Sequence, residues 1–172
     1  MNPSADIEFL ETIIHAPVAE IYRCFTKGVG FMEWLCNGAK TQPIPGGMLV
    51  LWWNSGYYTV GEFTRIEVNK LVEFSWLGKG EPVKTQVQVL LSEESEGTRV
   101  ELTHTCLGTE EIWVEPRKEI RRGWEVGLEN LKSTLEVGKD LRIVNRPGVG
   151  IYPAEISSGE IEKHHFPVNK GV

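Results

Sequence analysis

The sequence has no run approaching the roughly 18 to 20 consecutive apolar residues that a membrane-spanning helix requires, and residues 1–6 lack the basic-then-apolar layout of a secretion signal. No membrane insertion and a cytoplasmic location are therefore expected. Basic charge is in deficit: 18 Lys and Arg stand against 24 Asp and Glu, a net charge of −6, which argues against nucleic acid as a partner. The densest basic cluster, Arg117, Lys118, Arg121 and Arg122, is interrupted by Glu115, Glu119 and Glu125, as on the wet face of a helix. Cysteine is scarce. Cys24, Cys36 and Cys106 are odd in number and widely spaced, so they form neither a disulfide framework nor a zinc pattern. Reduced thiols are expected, with Cys24 and Cys106 acting as small buried hydrophobes in apolar-patterned segments.

Cofactor signatures are missing as well. Gly46-Gly47 and Gly78-Lys79-Gly80 lack the strand-loop-helix setting that turns backbone amides onto a phosphate. There is no serine elbow, HExxH or CxxC. His164 and His165 are adjacent, would point about 100° apart on a helix, and have no third ligand beside them. No metal, no cofactor and no catalytic residue is expected, and the balance is against an enzyme.

What is present is 41% hydrophobic residues in 172, enough for one core-bearing domain and an appendage. Residues 7–14 read as a strand running into Pro17, the first position of a helix over 17–27 with Val18, Ile21, Tyr22 and Phe25 on one face. Gly28 and Gly30 end that pattern, and a short second helix follows over 31–35. From Gly46 the period changes to two, predicting strands over 48–54, 58–68, 71–77, 83–92 and 98–106 in consecutive antiparallel pairing. A long helix then spans about 115–138, with Ile120, Trp124, Gly127, Leu128, Leu131 and Leu135 on one face. Gly123 and Gly127, one turn apart, leave room for a close neighbour or a ligand. Residues 1–138 are thus read as one domain and 139–172, rich in Pro and Gly, as a C-terminal extension too short for its own core.

Alternation places Val100, Leu102, His104 and Cys106 on one strand face, Val72, Phe74 and Trp76 on another, and Val83, Thr85, Val87, Val89 and Leu91 on a third. Trp52 and Trp53 must point to opposite sides, and parity leaves open which is interior. His104 is open to three readings: a buried ring with satisfied hydrogen bonds, a polar anchor for a ligand, or a general base. Glu62 follows Gly61, which could mark a bulge, so its facing is unreadable.

The order strand, two short helices, antiparallel sheet and long helix resembles the helix-grip fold of the START/Bet v 1-like (SRPBCC) superfamily, in its activator of Hsp90 ATPase branch. Ala16-Pro17, Ile21-Tyr22, Phe25-Thr26, Trp34-Leu35, Gly46-Gly47, Gly61-Glu62, the segment 71–76, Gly97-Thr98-Arg99, Leu102-Thr103-His104 and Gly123-Trp124 carry the likeness. It implies an α+β fold, a curved six-stranded antiparallel sheet gripping the long helix, with an apolar cavity between them. Superfamily members include carriers, receptors and cyclases, so the fold does not select an activity. The tail from Arg146-Pro147-Gly148 onward faintly resembles the opening third of a PDZ domain.

The expected function is non-enzymatic binding of a small apolar ligand in that cavity. Candidate wall residues are Trp52, Phe63, Phe74, Trp76, Val87, Leu102 and His104 from the sheet, with Trp124, Gly127, Leu128 and Leu131 from the helix. The alternative is a protein-interaction module with a chaperone as partner. A third class, a hydrolase, cyclase or isomerase, would use His104 or Glu62 as acid or base.

Overall fold

The structure, a computed structural model, describes residues 7–145. The readings made for the tail, including His164-His165 and the PDZ resemblance, lie outside the described residues. Seven strands form one antiparallel sheet in the order β1-β7-β6-β5-β4-β3-β2. They are β1 (Glu8–Ile14), β2 (Gly38–Thr41), β3 (Met48–Trp52), β4 (Tyr58–Glu67), β5 (Leu71–Gly78), β6 (Thr85–Glu94) and β7 (Gly97–Thr105). Strands β2 to β7 form a meander, while β1 pairs with β7 from Glu8↔His104 to Ile14↔Thr98. Helices α1 (Val18–Cys24) and α2 (Gly28–Trp34) fill the connection from β1 to β2.

The sheet has one strand more than expected. β2 has only four residues, Gly-Ala-Lys-Thr, and pairs on one side only, so it carries no apolar alternation to detect. Its Gly38 lies beneath the indole of Trp52, where a side chain would overlap the ring. The helices also divide differently: α2 begins at Gly28, and Gly28 and Gly30 lie within it rather than ending a helix. Gly30 is pressed against the backbone of Arg23 and Cys24, so the close packing of α1 on α2 requires a residue without Cβ.

The inner sheet face buries Leu49, Leu51, Phe63, Val72, Phe74, Val87, Val89, Val100 and Leu102 against Phe25, Phe31 and Trp34 of the short helices. The third wall is α3 (Val114–Val137), a 24-residue helix, roughly 36 Å long at 1.5 Å per residue. It presents Ile120, Trp124, Leu128 and Leu131 to the sheet. Gly138 ends it in the left-handed region at φ 69°, its N–H returning to the Thr134 carbonyl at 3.1 Å. At the other edge the nearly buried carboxylate of Glu8 accepts from Arg121 at 2.7 Å and Arg117 at 3.2 Å, tying β1 to α3. Those two arginines belong to the cluster that the sequence suggested was solvated.

Beyond α3, α4 (Leu141–Val144) is docked on the body. The Arg142 guanidinium donates to the carbonyls of Met32 and Cys36, both at 2.7 Å. Buried Asn130 donates to the Trp34 carbonyl and accepts from the Leu141 N–H, both at 2.7 Å. No helix among the described residues is long and apolar enough to cross a membrane.

Candidate functional site

A cavity of about 980 Å³ opens between the end of the sheet, the C-terminal end of α2 and the N-terminal half of α3. Four tryptophans from four elements line it: Trp34 at the end of α2, Trp53 just after β3, Trp76 in β5 and Trp124 in α3. The rings of Trp53, Trp76 and Trp124 form a connected series, with centroids of Trp53 and Trp76 6.4 Å apart and of Trp76 and Trp124 5.3 Å apart, while the Trp34 ring packs on Phe25 and Phe31. Tyr57 continues the series, 5.2 Å from Trp53.

Each wall indole has its N–H committed within the protein. Trp34 donates to the Cys24 carbonyl at 3.2 Å, Trp53 to the Leu35 carbonyl at 2.7 Å, Trp76 to Glu81 Oε1 at 3.0 Å and Trp124 to His104 Nδ1 at 3.0 Å. An indole has one donor and no acceptor, so these rings offer a guest their π faces and edges and no free hydrogen bond.

His104 is fully buried beneath this wall. Trp124 can only donate, so Nδ1 accepts and the imidazole proton sits on Nε2. Nε2 meets Thr85 Oγ1 at 2.7 Å, and that hydroxyl donates onward to the Trp76 carbonyl at 3.0 Å. Every donor in the chain Trp124–His104–Thr85–Trp76 has an acceptor. Burial lowers the His104 pKa to about 3, so the ring is neutral at physiological pH. With both nitrogens engaged, it orients Trp124 and has none left for a substrate.

Glu81, in the turn after β5, supplies the carboxylate of the wall. Oε1 accepts from the Tyr57 hydroxyl at 2.8 Å as well as from Trp76, and Oε2 accepts from the Gly78 N–H at 2.8 Å. The Tyr57 pKa is pushed well up by burial, then by the negative charge of Glu81 and its hydrogen bond, with Glu119 adding to the effect. Tyr57 is therefore a neutral donor.

The cavity's α3 side is made by Ile120, Gly123, Trp124 and Gly127. The two glycines differ. A Cβ at Gly123 would meet nothing within 4 Å, whereas one at Gly127 would stand 3.0 Å from Leu35 Cδ1 and 3.1 Å from Trp34 Cζ3. Gly127 permits the α2–α3 contact; Gly123 leaves volume open.

Residues 15–136 match the family described as Activator of Hsp90 ATPase homolog 1-like protein. The chain belongs to this family. No curated protein is matched by the sequence. Among solved structures, protein MLL2253 from Mesorhizobium loti is similar over 77% of this chain and 98% of its own, at 20% identity and a TM-score of 0.68. CalU16 from Micromonospora echinospora is similar over 81% of this chain and 80% of its own, at 26% identity and a TM-score of 0.64. The Aha1 dimer from Colwellia psychrerythraea is similar over 77% of this chain and 98% of that chain, at 24% identity and a TM-score of 0.65.

Within this activator-of-Hsp90-ATPase-like domain, the structure brings Trp76, Trp124 and Gly127 of the sequence-derived candidates to the cavity. Phe63, Phe74, Val87, Leu102, Leu128 and Leu131 are buried beneath or beside it as packed core. Trp52 is on the opposite sheet face and 44% exposed, while Trp53 takes the place in the wall. Val83 lies before β6 and is exposed, outside the inner face. Cys106 is exposed too, because its φ of 63° turns the chain out of β7 and hands the interior position to Leu107. Cys24 and Cys36 are buried, and burial pushes both thiols up to about 12. Glu62 is half exposed, 3.7 Å from Lys84, and outside the cavity lining. The bulge lies after it, between Phe63 and Arg65. Neither His104 nor Glu62 is placed for acid–base work on a guest.

Sequence reasoning missed Trp34, Trp53, Tyr57 and Glu81 as wall residues. For Trp53 a signal existed: Leu49, Leu51 and Trp53 share parity and face inward. Met48, Val50 and Trp52 form an equally apolar set, which made the two faces indistinguishable.

Proposed function

We propose that this protein binds a small, largely apolar molecule between its sheet and long helix, as a carrier or sensor without catalysis of its own. The observation that carries the reading is the cavity of about 980 Å³ walled by Trp34, Trp53, Trp76 and Trp124. Its volume is within the upper range for small-molecule sites, and apolar walls with few polar groups are their usual composition. Burial of apolar ligand surface would drive binding at about 25 cal/mol per Å² before the costs of association.

Thermal unfolding with a panel of neutral polycyclic, sterol and fatty-acyl compounds tests it. A ligand at a hundred times its Kd adds about 2.7 kcal/mol of stability. A compound-selective rise in Tm that disappears in Gly123→Leu supports the reading; no rise with any compound overturns it.

A second reading, a protein-contact module, is favoured by a different surface. Met48, Trp52, Tyr58 and Val60 are all about 40% exposed or more on the outer sheet face, with Trp52 opposite Tyr58. The chaperone link in the family's description supplies the assay: stimulation of Hsp90 ATPase turnover that is lost in Trp52→Glu would support it, and no stimulation would remove the chaperone as partner.

A further inference from the structure

Given an apolar guest in this cavity, as proposed above, we infer that the ligand carries a cationic group, an amine or quaternary ammonium on an aromatic or aliphatic body, held against the tryptophan wall beside Glu81.

Three independent features converge on that chemistry. First, the four wall indoles have all spent their N–H donors on protein acceptors. What remains toward the cavity is π density, which attracts cations, most strongly at tryptophan. A carbonyl or carboxylate on the guest would find no indole donor to accept from.

Second, the carboxylate built into the wall lacks a counter-charge. Glu81 is satisfied by a phenol, an indole and a backbone amide, all neutral. No Lys or Arg lies within ion-pair distance of it among the described residues. Its oxygens retain acceptor capacity after these three bonds.

Third, a second carboxylate adds to the same field. Glu119 also lines the cavity and makes no ion pair among the described residues, and its charge acts on the Tyr57 hydroxyl together with that of Glu81. None of the lining's cations is within ion-pair distance of Glu81: Arg142 is paired with Asp140 at 2.8 Å, the Lys79 ammonium keeps its charge but is turned to the Gly56 carbonyl at 3.1 Å, and Arg122, also charged, is exposed on α3. Glu115 is neutralised by Lys118 at 2.7 Å. The net charge of −6 steers a cation toward the protein as a whole.

The test uses the full chain and three probes that share one body and differ in charge: pyrenemethylammonium, pyrenemethanol and pyrenecarboxylate. Energy transfer from tryptophan to pyrene reads binding. The expected order is ammonium, then alcohol, then carboxylate, with the ammonium about tenfold tighter than the alcohol. Glu119→Gln, at an exposed position with no bond to lose, should reduce that ratio severalfold. Glu81→Gln, which keeps the side-chain shape, should reduce it further. Equal binding of ammonium and alcohol, a preference for the carboxylate, or a ratio unmoved by both variants would overturn the cationic ligand while the apolar cavity stands. No binding of any probe would overturn the cavity reading and this inference with it.

Discussion

Replacing Gly123 by leucine should stabilise the protein and abolish its ligand response together. Glycine in a helix interior is about 0.7 kcal/mol less favourable than leucine. The new Cβ enters open space, with nothing within 4 Å, at the wall of the cavity. Its methyls then cover part of the cavity's apolar wall, which adds about 1 kcal/mol of apolar burial. The sum corresponds to a rise in Tm of roughly 4–6 °C for a domain of this size. Urea unfolding followed by far-UV circular dichroism measures the gain, and pyrenemethanol titration measures the loss of binding. Gly127→Leu is the contrast. Its Cβ would stand 3.0 Å from Leu35 and 3.1 Å from Trp34, so the branch beyond must displace core side chains, lowering stability by about 1–3 kcal/mol. If Gly123→Leu lowers the urea midpoint, or binds the probe as wild type does, the volume beside Gly123 is not a ligand cavity.

The buried imidazole makes a pH prediction whose sign is fixed by its depressed pKa. His104 titrates near 6.5 when unfolded and at about 3 when folded; between these values the unfolded state binds the extra proton, so stability is full above the unfolded pKa and falls as pH drops. The part of stability owed to His104 should fall by about 2 kcal/mol from pH 7 to pH 5, so the gap in urea stability between wild type and His104→Phe narrows by that amount; a constant gap would show that the ring is not a buried neutral one. Asn130→Ala strands the Trp34 carbonyl and the Leu141 N–H and should cost about 2–3 kcal/mol in urea unfolding, with a loss under about 0.5 kcal/mol speaking against a docked α4. Among the three thiols, Cys106 should react with a disulfide reagent at neutral pH and Cys24 and Cys36 only on unfolding; native reaction of more than one equivalent would contradict the burial of α1 and α2. Trp53→Ala should weaken pyrenemethanol binding and Trp52→Ala should not, which separates the inner from the outer sheet face.

Much of the architecture was readable in the chain because long elements announce their period. Residues 58–68 and 71–77 alternate, the stretch from Glu115 to Gly138 repeats at helical spacing, and the structure has β4, β5 and α3 there within a few residues. β2 was not readable, since a four-residue edge strand has too few positions for alternation to rise above composition. The start of α2 was misread for a related reason. Gly28 and Gly30 look like terminators in one dimension, and only the contact with Arg23 and Cys24 shows why glycine is needed inside a helix. Cys106 failed at the end of a strand, where a single residue at φ 63° reverses inside and outside. The cavity itself was legible only as a family expectation. Its wall draws one aromatic residue from each of several elements, and no periodicity within one element reports what stands opposite another.

The polar groups around the cavity explain how so many tryptophans can border open volume and still hold one arrangement. An indole free to rotate would collapse into the space, since apolar contact favours filling it. Here the N–H of each ring is anchored to a different acceptor: the Cys24 carbonyl, the Leu35 carbonyl, Glu81 and His104. Two of those acceptors are themselves braced, Glu81 by Tyr57 and the Gly78 amide, His104 by Thr85. The wall is thus preorganised, and a guest entering it does not bear the cost of ordering the rings. The same bonding leaves His104 no free nitrogen and Tyr57 committed to Glu81, so both side chains serve here to aim aromatic faces. A cavity built this way selects by shape and by charge against π density, and a substitution that cuts an anchor, such as Thr85→Val beneath His104, should loosen ligand discrimination before it unfolds the domain.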